Sequence, residues 1–380
     1  MYVAGRGTNE YGTIVPGIIE FQRTNNIVNK VIICGRTKKN LNETKKKINS
    51  IQKKSGVSLN FIYKIITSNK FDETIKKIKK ELDIDCSFVV VPDNLHYQIG
   101  KACLKNNLHS MIVKPVATKV SHVKELLKIS KKNHLYCLVE FHKRFDRQNI
   151  ILKDYYIEKK LGDILYTFTE YSQRKIIPTK IFKRWIESTN LIQYLGVHYI
   201  DIIRFVTGGI PSKVSAVGQK SFLIKKKINA YDSIQLNIEW KDKFNNKFNQ
   251  TILLNWIDPN NSSAMSDQKI KFICTKGRVE LDQKKRGIKI STDNNNLIEP
   301  NPDFCKIYGF ENGKYNWQGY GIDSIKNFLN DLILIKQNKQ KLKELEAIRP
   351  NLFEGLISTA VIEAANKSLK KKGFWVPIKF

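Results

Sequence analysis

Short apolar runs and longer amphipathic stretches alternate along the first 140 residues of the 380-residue chain, and this rhythm predicts strands and helices in turn. The clearest unit lies between Val89 and Thr118. There, an apolar run stopped by Pro92 is followed by apolar positions at helical spacing, and then by a second apolar run that ends at Lys114-Pro115. Such a strand–helix–strand unit requires a parallel sheet, whose ligands bind at the carboxyl ends of the strands.

Similar patterns continue on both sides of this unit. In the first part of the chain they predict strands at 1–4, 29–34, 60–66 and 135–140 and helices at 41–54, 71–82 and 121–132. In the later part, short alternating runs predict strands at 164–171, 213–219, 233–240, 248–256, 268–274, 278–281 and 288–291 and helices at 322–335 and 353–371. Alternation of this kind favours a mainly antiparallel sheet with one covered face. We therefore expect an α/β domain at 1–140 and an α+β domain at 141–380, with a C-terminal helix that can pack back on the first domain.

Charge is the unusual feature of the composition. The formal net charge is +31, from 66 Lys and Arg against 35 Asp and Glu. An excess of this size raises nucleic acid or an anionic membrane surface as a partner. The lysines are spread through nearly every segment together with many Asn and Ile, which a general codon bias explains better than one binding stripe. An ordinary hydrophobic fraction of 41% excludes a disordered chain, and nucleic-acid binding remains an alternative.

The cysteines and the lengths of the apolar runs bear on the cellular setting. The six cysteines show no CxxC or CxxH spacing, which argues against a metal site and favours reduced thiols. No apolar run reaches the about 18 residues of a membrane span, and no signal-peptide pattern follows Met1. We expect a soluble cytoplasmic protein without a metal.

Lys114 is the first residue to which the pattern assigns chemistry. It stands between an apolar strand and a proline, where partial loss of solvent lowers the pKa of a lysine towards acid–base use. Most of the 66 Lys and Arg side chains are simply solvated, and a solvated lysine at a strand end is the plain alternative. The place of Lys114 at the carboxyl end of a strand favours a functional role.

This region resembles a known family. A PxxxH motif at Pro92 to His96, followed after a helix and a strand by Lys114-Pro115, resembles the Gfo/Idh/MocA oxidoreductases, which include glucose-fructose oxidoreductase and inositol dehydrogenase. The family's usual Glu-Lys-Pro reads Val113-Lys114-Pro115 here. The resemblance implies a Rossmann-type dinucleotide-binding domain followed by an α+β domain with a large, mainly antiparallel, open-faced sheet. It also implies NAD(P)-dependent hydride transfer at a CH–OH carbon of a sugar or cyclitol.

Several site residues follow from the resemblance. Lys114 is expected to hydrogen-bond the nicotinamide ribose and the reacting hydroxyl, and Pro115 to form a cis peptide bond that directs it. Pro92, Asn94 and His96 are expected in the cofactor site.

Glycines near the start of the chain suggest a phosphate-binding turn. Gly5, Gly7 and Gly12 form a GxGxxxxG pattern, close to the GxGxxG of dinucleotide-binding turns. Glycines let the backbone approach a pyrophosphate, and the following helix N-terminus supplies its dipole and free N–H groups. We predict that these three glycines bind the cofactor, with a surface turn as the alternative.

The end of the second predicted strand bears on the choice of cofactor. Gly35 stands where an acidic side chain binds the ribose hydroxyls of NAD, and Arg36 and Thr37 follow it. An arginine meets the 2′-phosphate of NADP, and the absence of an acid removes the repulsion that excludes a phosphate. We predict NADP, with NAD as second choice, bound by Arg36 and Thr37. The alternative that Arg36 caps the next helix stays open.

A second set of candidates lies on an amphipathic stretch from about 190 to 205. Tyr194, His198 and Asp201 stand at i, i+4 and i+7 and so share one face of a helix. In the resembling family a histidine here faces the nicotinamide, with an aspartate four residues before it. His198 matches the histidine, while Tyr194 replaces the aspartate. We predict catalytic roles for Lys114, His198 and Tyr194, and expect Asp201 to orient the His198 ring or contact the substrate; packed side chains are the alternative.

Further cations and an indole are candidates for substrate binding. Arg184 and Trp185 precede the amphipathic stretch, and Arg144 follows the last strand of the first domain. With Tyr194 and Asp201, they suit a carbohydrate that carries an anionic group. A solvated basic loop with a buried tryptophan is the alternative. The resemblance also implies a homodimer or homotetramer.

Two other functional classes stay open. The missing glutamate before Lys114 and the missing aspartate at Tyr194 suit a non-catalytic relative that binds dinucleotide and sugar as a sensor. The family also resembles NAD-dependent glycosidases, in which transient oxidation drives bond cleavage.

Overall fold

Parallel strands form the first part of the fold. The computed structural model describes residues 2–5, 10–66, 70–183, 185–293, 295–309 and 313–380. Within these ranges, β1 (Val31–Gly35) pairs with β2 (Phe61–Ile65), and a separate sheet holds β4 (His109–Val113) between β3 (Cys86–Val89) and β5 (Cys137–Glu140). The strands alternate with α1 (Ile14–Asn25), α2 (Lys38–Ser55), α3 (Phe71–Leu82), α4 (His96–Lys105) and α5 (Val120–Lys132). The predicted Rossmann-type α/β fold is confirmed.

Burial of β4 on both faces explains the apolar run Met111 to Val113 in its second half. Successive side chains of a strand point to opposite faces of the sheet. Ile112 accordingly packs with residues of α4 and α5, whereas Met111 packs with residues of α1 on the other face. The site described below lies at the carboxyl edge of this sheet.

Residues 2–4 are not a strand, so the prediction of a strand is wrong for them, and Met1 lies outside the described residues. Tyr2 to Ala4 form a turn, and Gly5 has a positive φ of 79°. The Tyr2 carbonyl accepts hydrogen bonds from the N–H groups of Thr13 (2.8 Å) and Ile14 (3.4 Å), and the Val3 carbonyl accepts one from Val15 at 2.9 Å. These bonds fold the segment onto the start of α1, so its carbonyl groups are not available to a neighbouring strand.

A large mixed sheet dominates the second part. Among the described residues it contains seven strands in the order β11-β10-β6-β9-β8-β7-β16, and all neighbours are antiparallel except β6 and β9. Its strands are β6 (Ile164–Arg174), β7 (Ile210–Gln219), β8 (Ser233–Lys241), β9 (Lys247–Asp258), β10 (Ser266–Cys274), β11 (Gly277–Asp282) and β16 (Val376–Pro377). On β8, Ile234 and Leu236 are buried while Gln235 and Asn237 are exposed. The predicted, mainly antiparallel sheet with one open face is confirmed.

Helices close the inner face of the large sheet and connect it to the first part. α6 (Arg147–Ile157), α7 (Val197–Thr207) and α11 (Leu352–Lys370) lie in this layer, and α11 packs against both α5 and β7. α9 (Tyr320–Lys336) instead returns to the first part and packs against α1. Two apolar clusters result, and α7 lies between the large sheet and the carboxyl edge of the β3–β5 sheet.

The remaining elements are short. They are α8 (Phe222–Lys225), α10 (Leu342–Ile348), the hairpin of β12 (Ile290–Thr292) with β13 (Asn295–Ile298), and the hairpin of β14 (Lys306–Gly309) with β15 (Tyr315–Gln318). Across the described ranges, the helices fall short of the length and apolar character that a membrane crossing requires.

Candidate active site

The turns after β3 and β4 are joined by His96. Its buried ring lies between two carbonyl groups, with Nδ1 2.6 Å from the oxygen of Pro115 and Nε2 2.8 Å from that of Val91. The Lys114-Pro115 peptide bond is cis, as the resemblance implied. The PxxxH motif thus fixes the turn that carries Lys114, and His96 is a support of the site with both ring nitrogens already engaged.

Lys114 reaches from this turn to the segment before α7. Its Nζ donates a hydrogen bond to the Tyr194 carbonyl at 2.7 Å and lies 4.1 Å from the centroid of the Tyr194 ring. Burial lowers the pKa of Lys114 from 10.5 to about 8, although the negative charges of Asp93 and Glu140 act in the opposite direction. A lysine with this pKa exchanges its proton readily near neutral pH.

Tyr194 lies on a wide helical turn that the regular spacing did not predict. Residues Ile192–Gly196 form a π-helix that leads directly into α7. The side-chain oxygen of Asn190 accepts hydrogen bonds from the N–H groups of Ile192 (3.0 Å) and Gln193 (3.1 Å), which anchors the start of this turn. Because a π-turn holds more residues than an α-turn, it changes the angle between Tyr194 and the α7 residues His198 and Asp201 from that of a regular helix.

Aromatic side chains pack behind Tyr194. Its ring lies 4.7 Å from that of Phe182, 5.9 Å from Trp185 and 6.2 Å from Trp256, measured between centroids. Burial raises the pKa of the Tyr194 phenol, so it stays protonated and can donate but not act as a base. Trp185 is part of this aromatic wall, and the predicted substrate residue Arg184 lies outside the described residues.

His198 is buried and lacks a partner at one nitrogen. It is 5% exposed, and its Nδ1 makes no hydrogen bond to the described part of the chain. Burial lowers its pKa well below 6.5, with smaller contributions in the same direction from Lys114, His142 and Lys143. Buried polar atoms nearly always have a partner, so this unpartnered imidazole nitrogen, on a ring close enough to Lys114 to be affected by its charge, is a candidate site feature.

Arg144 and Asp201 bind each other, which corrects two expectations. Arg144 Nη2 lies 2.6 Å from Asp201 Oδ1 and 2.8 Å from a Glu354 oxygen, and its Nε also contacts both oxygens of Asp201. The side chains of Arg144 and Asp201 are only 9% and 1% exposed. Both have their charges paired inside the fold, so Asp201 does not orient the His198 ring and Arg144 does not face a substrate. They join α7 and α11 to the end of β5.

Two sequence-family models cover most of these elements. The model described as "Oxidoreductase family, NAD-binding Rossmann fold" matches residues 31–141. The model described as "GFO/IDH/MocA C-terminal domain" matches residues 151–280. The chain belongs to the Gfo/Idh/MocA oxidoreductase family.

Individual relatives within the family are distant. An uncharacterized oxidoreductase of Streptococcus pneumoniae is 23% identical over 177 residues, 44% of this chain and 48% of the relative. The trans-1,2-dihydrobenzene-1,2-diol dehydrogenase of Xenopus laevis is 20% identical over 178 residues, 47% of this chain and 52% of the relative. The chain thus spans about half the length of the curated relatives it matches.

Solved structures with the same fold cover nearly the whole chain. The scyllo-inositol dehydrogenase of Lactobacillus casei, with bound NAD(H) and scyllo-inositol, has a TM-score of 0.68 at 16% identity and covers 96% of this chain and 95% of its own. A putative myo-inositol dehydrogenase of Sinorhizobium meliloti has a TM-score of 0.65 at 16% identity and covers 96% of each chain. At these identities the similarity establishes the shared fold.

The glycine turn of this family member differs from the expected phosphate cradle. A side chain at Gly5 or Gly12 would overlap the chain's own backbone, at Glu10 and Tyr2 respectively, and Gly7 lies outside the described residues. The first N–H groups of α1 are bonded to Tyr2 and Val3, and Pro16 has none. The expectation of free N–H groups at this helix is therefore wrong for the conformation described.

The end of β1 shows why Gly35 stands there. A Cβ at Gly35 would lie 2.7 Å from a methyl group of Leu41, so a larger side chain there would require the buried Leu41 side chain to shift. The Thr37 hydroxyl caps α2 by accepting from the N–H of Asn40 at 3.2 Å, so Thr37 and not Arg36 has the capping role. Arg36 is exposed beside this helix N-terminus.

The turn after β3 is joined to the segment before α7. Pro92 precedes the 3-10 turn Asp93–Leu95, where Asn94 is exposed and caps no helix. Asp93 is buried and accepts a hydrogen bond of 2.6 Å from the hydroxyl of Thr189. Asp93 ties this turn to the segment that carries Tyr194.

Three more buried polar residues lie at the end of β5 and directly after it. Lys143 is buried, donates to the side-chain oxygens of Gln268 (2.7 Å) and Gln283, and burial lowers its pKa to about 7. Glu140 and His142 lie beside it, also buried. The signal available in the sequence was three polar residues at the carboxyl end of a buried strand, where site residues of parallel sheets collect.

These residues fit the nicotinamide end of a dinucleotide. Lys114 and the unpartnered His198 nitrogen lie beside the Lys114-Pro115 turn at the carboxyl edge of the β3–β5 sheet, where the fold binds cofactors. For the start of α1 to bind the pyrophosphate of the cofactor, its N–H groups would first have to lose their hydrogen bonds to the carbonyl groups of Tyr2 and Val3. Within the described ranges, no three His, Cys, Asp or Glu side chains are placed to hold a metal ion.

Proposed function

We propose that this chain is an NAD(P)-dependent oxidoreductase that acts at a CH–OH carbon of a sugar or cyclitol. The observation that carries the proposal is the convergence of Lys114 and His198, with Lys114 held by the Tyr194 carbonyl and Nδ1 of His198 unpartnered. The inositol dehydrogenases that share the fold and the dihydrodiol dehydrogenase relative support this substrate class.

Moving the hydroxyl proton is the task of this chain's own side chains, while the nicotinamide, when bound, supplies or accepts the hydride. Because burial holds the pKa of His198 well below 6.5, the imidazole is neutral at neutral pH. With its hydrogen on Nε2, the neutral ring offers the Nδ1 lone pair to a substrate hydroxyl. His198 is thus the proposed general base in the direction of oxidation.

Lys114 positions the same oxygen. With a pKa of about 8, its ammonium is charged at neutral pH and can donate a hydrogen bond to the hydroxyl or carbonyl oxygen. Its bond to the Tyr194 carbonyl fixes its direction. The Tyr194 phenol stays protonated, so its proposed contribution is a hydrogen bond to the substrate and not base catalysis. Trp185, packed beside Tyr194, is the proposed apolar wall of the substrate site.

The cofactor proposed is NADP, because an arginine follows β1 and no acidic residue stands at the ribose position. The test is a fluorescence titration of the protein with NADPH and NADH. We expect tighter binding of NADPH, and a loss of about 1–3 kcal/mol of its binding free energy in Arg36→Ala, as for a hydrogen bond to a charged group.

A matched control separates a specific contact from the general positive charge. Lys46→Ala removes an exposed cation from α2 farther along the helix and should leave NADPH binding nearly unchanged. If neither nucleotide binds the wild type, the oxidoreductase proposal fails. If both variants weaken binding equally, the proposal of a specific 2′-phosphate contact fails. Oxidation of scyllo-inositol and myo-inositol with NADP is the first substrate screen.

One observation favours a second candidate. Tyr194 stands where the resembling family has an aspartate, and a non-catalytic sensor of dinucleotide and sugar does not need that carboxylate. Tight nucleotide binding without turnover across a broad panel of polyols would favour the sensor.

A further inference from the structure

A buried carboxylate and imidazole lie at the end of β5, outside the roles proposed above. Glu140 is 1% exposed and His142 is 7% exposed. Nδ1 of His142 lies 3.0 and 3.1 Å from the two oxygens of Glu140, and the Tyr2 hydroxyl donates to the same carboxylate at 2.9 Å. The carboxylate therefore favours the tautomer of His142 with its hydrogen on Nδ1, which leaves Nε2 as a proton acceptor.

The His142 ring is held next to His198. The two ring centroids are 5.0 Å apart, and His142 also packs against Phe304 at 5.1 Å and Tyr320 at 5.8 Å. Neighbours on several sides leave the imidazole little freedom to rotate. The two rings are in packing contact at a tilt of 56°, and one bridging water between their nitrogens would carry a proton from ring to ring.

The charges around His198 disfavour a proton on its ring, so a second group that accepts the proton would help turnover. Lys114 and Lys143 both act on His198 as nearby cations, so a proton that arrives there is poorly accommodated. The carboxylates of Asp146 and Asp201 are engaged by Arg286 and Arg144 at 2.6 Å each. Glu140, in contrast, is hydrogen-bonded to a neutral phenol and an imidazole, and its negative charge, which also acts on Lys114, can stabilise a protonated His142 ring.

We propose that Glu140 and His142 form a proton relay behind His198, a role that rests on the proposed oxidoreductase function. In the direction of oxidation the substrate O–H bond breaks and an N–H bond forms at Nδ1 of His198. A proton then leaves His198 for Nε2 of His142, and Glu140 balances the charge of the resulting imidazolium. His142 and Glu140 act through His198 and are positioning residues.

The tautomer of His142 tests the relay without any substrate. The chain has six histidines, so the full-length protein labelled with 15N-histidine gives a tractable imidazole spectrum, assigned by His142→Gln. We expect His142 to carry its hydrogen on Nδ1, with a strongly downfield proton signal that is lost in Glu140→Gln. A hydrogen on Nε2 in the wild type would overturn the relay, because that nitrogen could then accept no proton.

Turnover gives the second test, with nucleotide binding as the check on the proposed function. We expect Glu140→Gln to lower kcat by about 10- to 100-fold and to change its pH profile, with the NADPH dissociation constant nearly unchanged and partial rescue in Glu140→Asp. Glu20→Gln changes another buried glutamate, bonded to Arg23 on α1, and should leave the pH profile unchanged. Unchanged kcat and pH profile in Glu140→Gln would refute the relay, whereas absence of nucleotide binding would refute the proposed function.

Discussion

Replacement of Lys114 by methionine should stabilise the ligand-free protein while it removes the proposed activity. Burial lowers the pKa of Lys114 from 10.5 to about 8. A drop of this size corresponds to about 3 kcal/mol of free energy against the charged form in the fold. Methionine is similar in length and uncharged, but it loses the bond to the Tyr194 carbonyl and the contact with the ring, together worth about 1–2 kcal/mol. The net expectation is a gain of about 1–2 kcal/mol at pH 7.

The pH dependence of this gain has a definite sign. Below pH about 8 the lysine is charged in both the folded and the unfolded wild type, so the cost of burying the charge is fully present. Between about 8 and 10.5 the unfolded chain holds more protons than the folded one, so wild-type stability rises with pH through this residue. The advantage of Lys114→Met should therefore be full at pH 7 and fade as the pH approaches 10.5.

Thermal unfolding of the ligand-free proteins measures the effect. For a chain of 380 residues, a gain of about 1–2 kcal/mol raises Tm by about 2 °C. Lys119→Met is the control, because Lys119 is exposed and its replacement should change Tm little. A Lys114→Met variant that is less stable than the wild type at pH 7, or whose advantage does not change between pH 7 and 10, would refute the desolvation of Lys114.

Two further substitutions test the supports around the site. Arg144→Met should lower the free energy of unfolding by about 3–5 kcal/mol, because the buried Asp201 loses its partner and Glu354 keeps only Arg204; a loss below about 1 kcal/mol in chemical denaturation would contradict the ion-pair network. Gly12→Ala should destabilise the turn of Tyr2 to Ala4, because the added Cβ overlaps the Tyr2 carbonyl. Its signature is faster hydrogen exchange at the N–H groups of Thr13 and Val15, and unchanged exchange there would contradict the packing described.

Local sequence signals account for the parts of the site that were predicted. Lys114-Pro115 and His96 lie within one strand–helix–strand unit, so short-range spacing was enough to place them at the same sheet edge. His198 was found because its spacing to Tyr194 lies within a helical segment. The cis peptide bond at Pro115 followed from the resemblance and is present in the structure.

Contacts between distant segments account for what was missed. The pairing of Arg144 with Asp201 and Glu354 joins three elements that are far apart in sequence. Arg144 and Asp201, both predicted to contact the substrate, are therefore bound to each other inside the fold. Glu140 and His142 stood in the printed sequence, but only the packing of His142 against His198 shows their relation to the site.

The sequence by itself determined the alternation of strands and helices, the open-faced sheet and the lysine at the strand end, because the period of apolar residues and the effect of proline are local properties of the chain. Tertiary structure decided the rest. Tertiary contacts hold Tyr2 to Ala4 against the start of α1 and accompany the π-turn before His198. They also determine which charged side chains are paired in the interior. Burial and the approach of distant side chains set the pKa values of Lys114 and His198, and neither can be read from neighbours in the sequence.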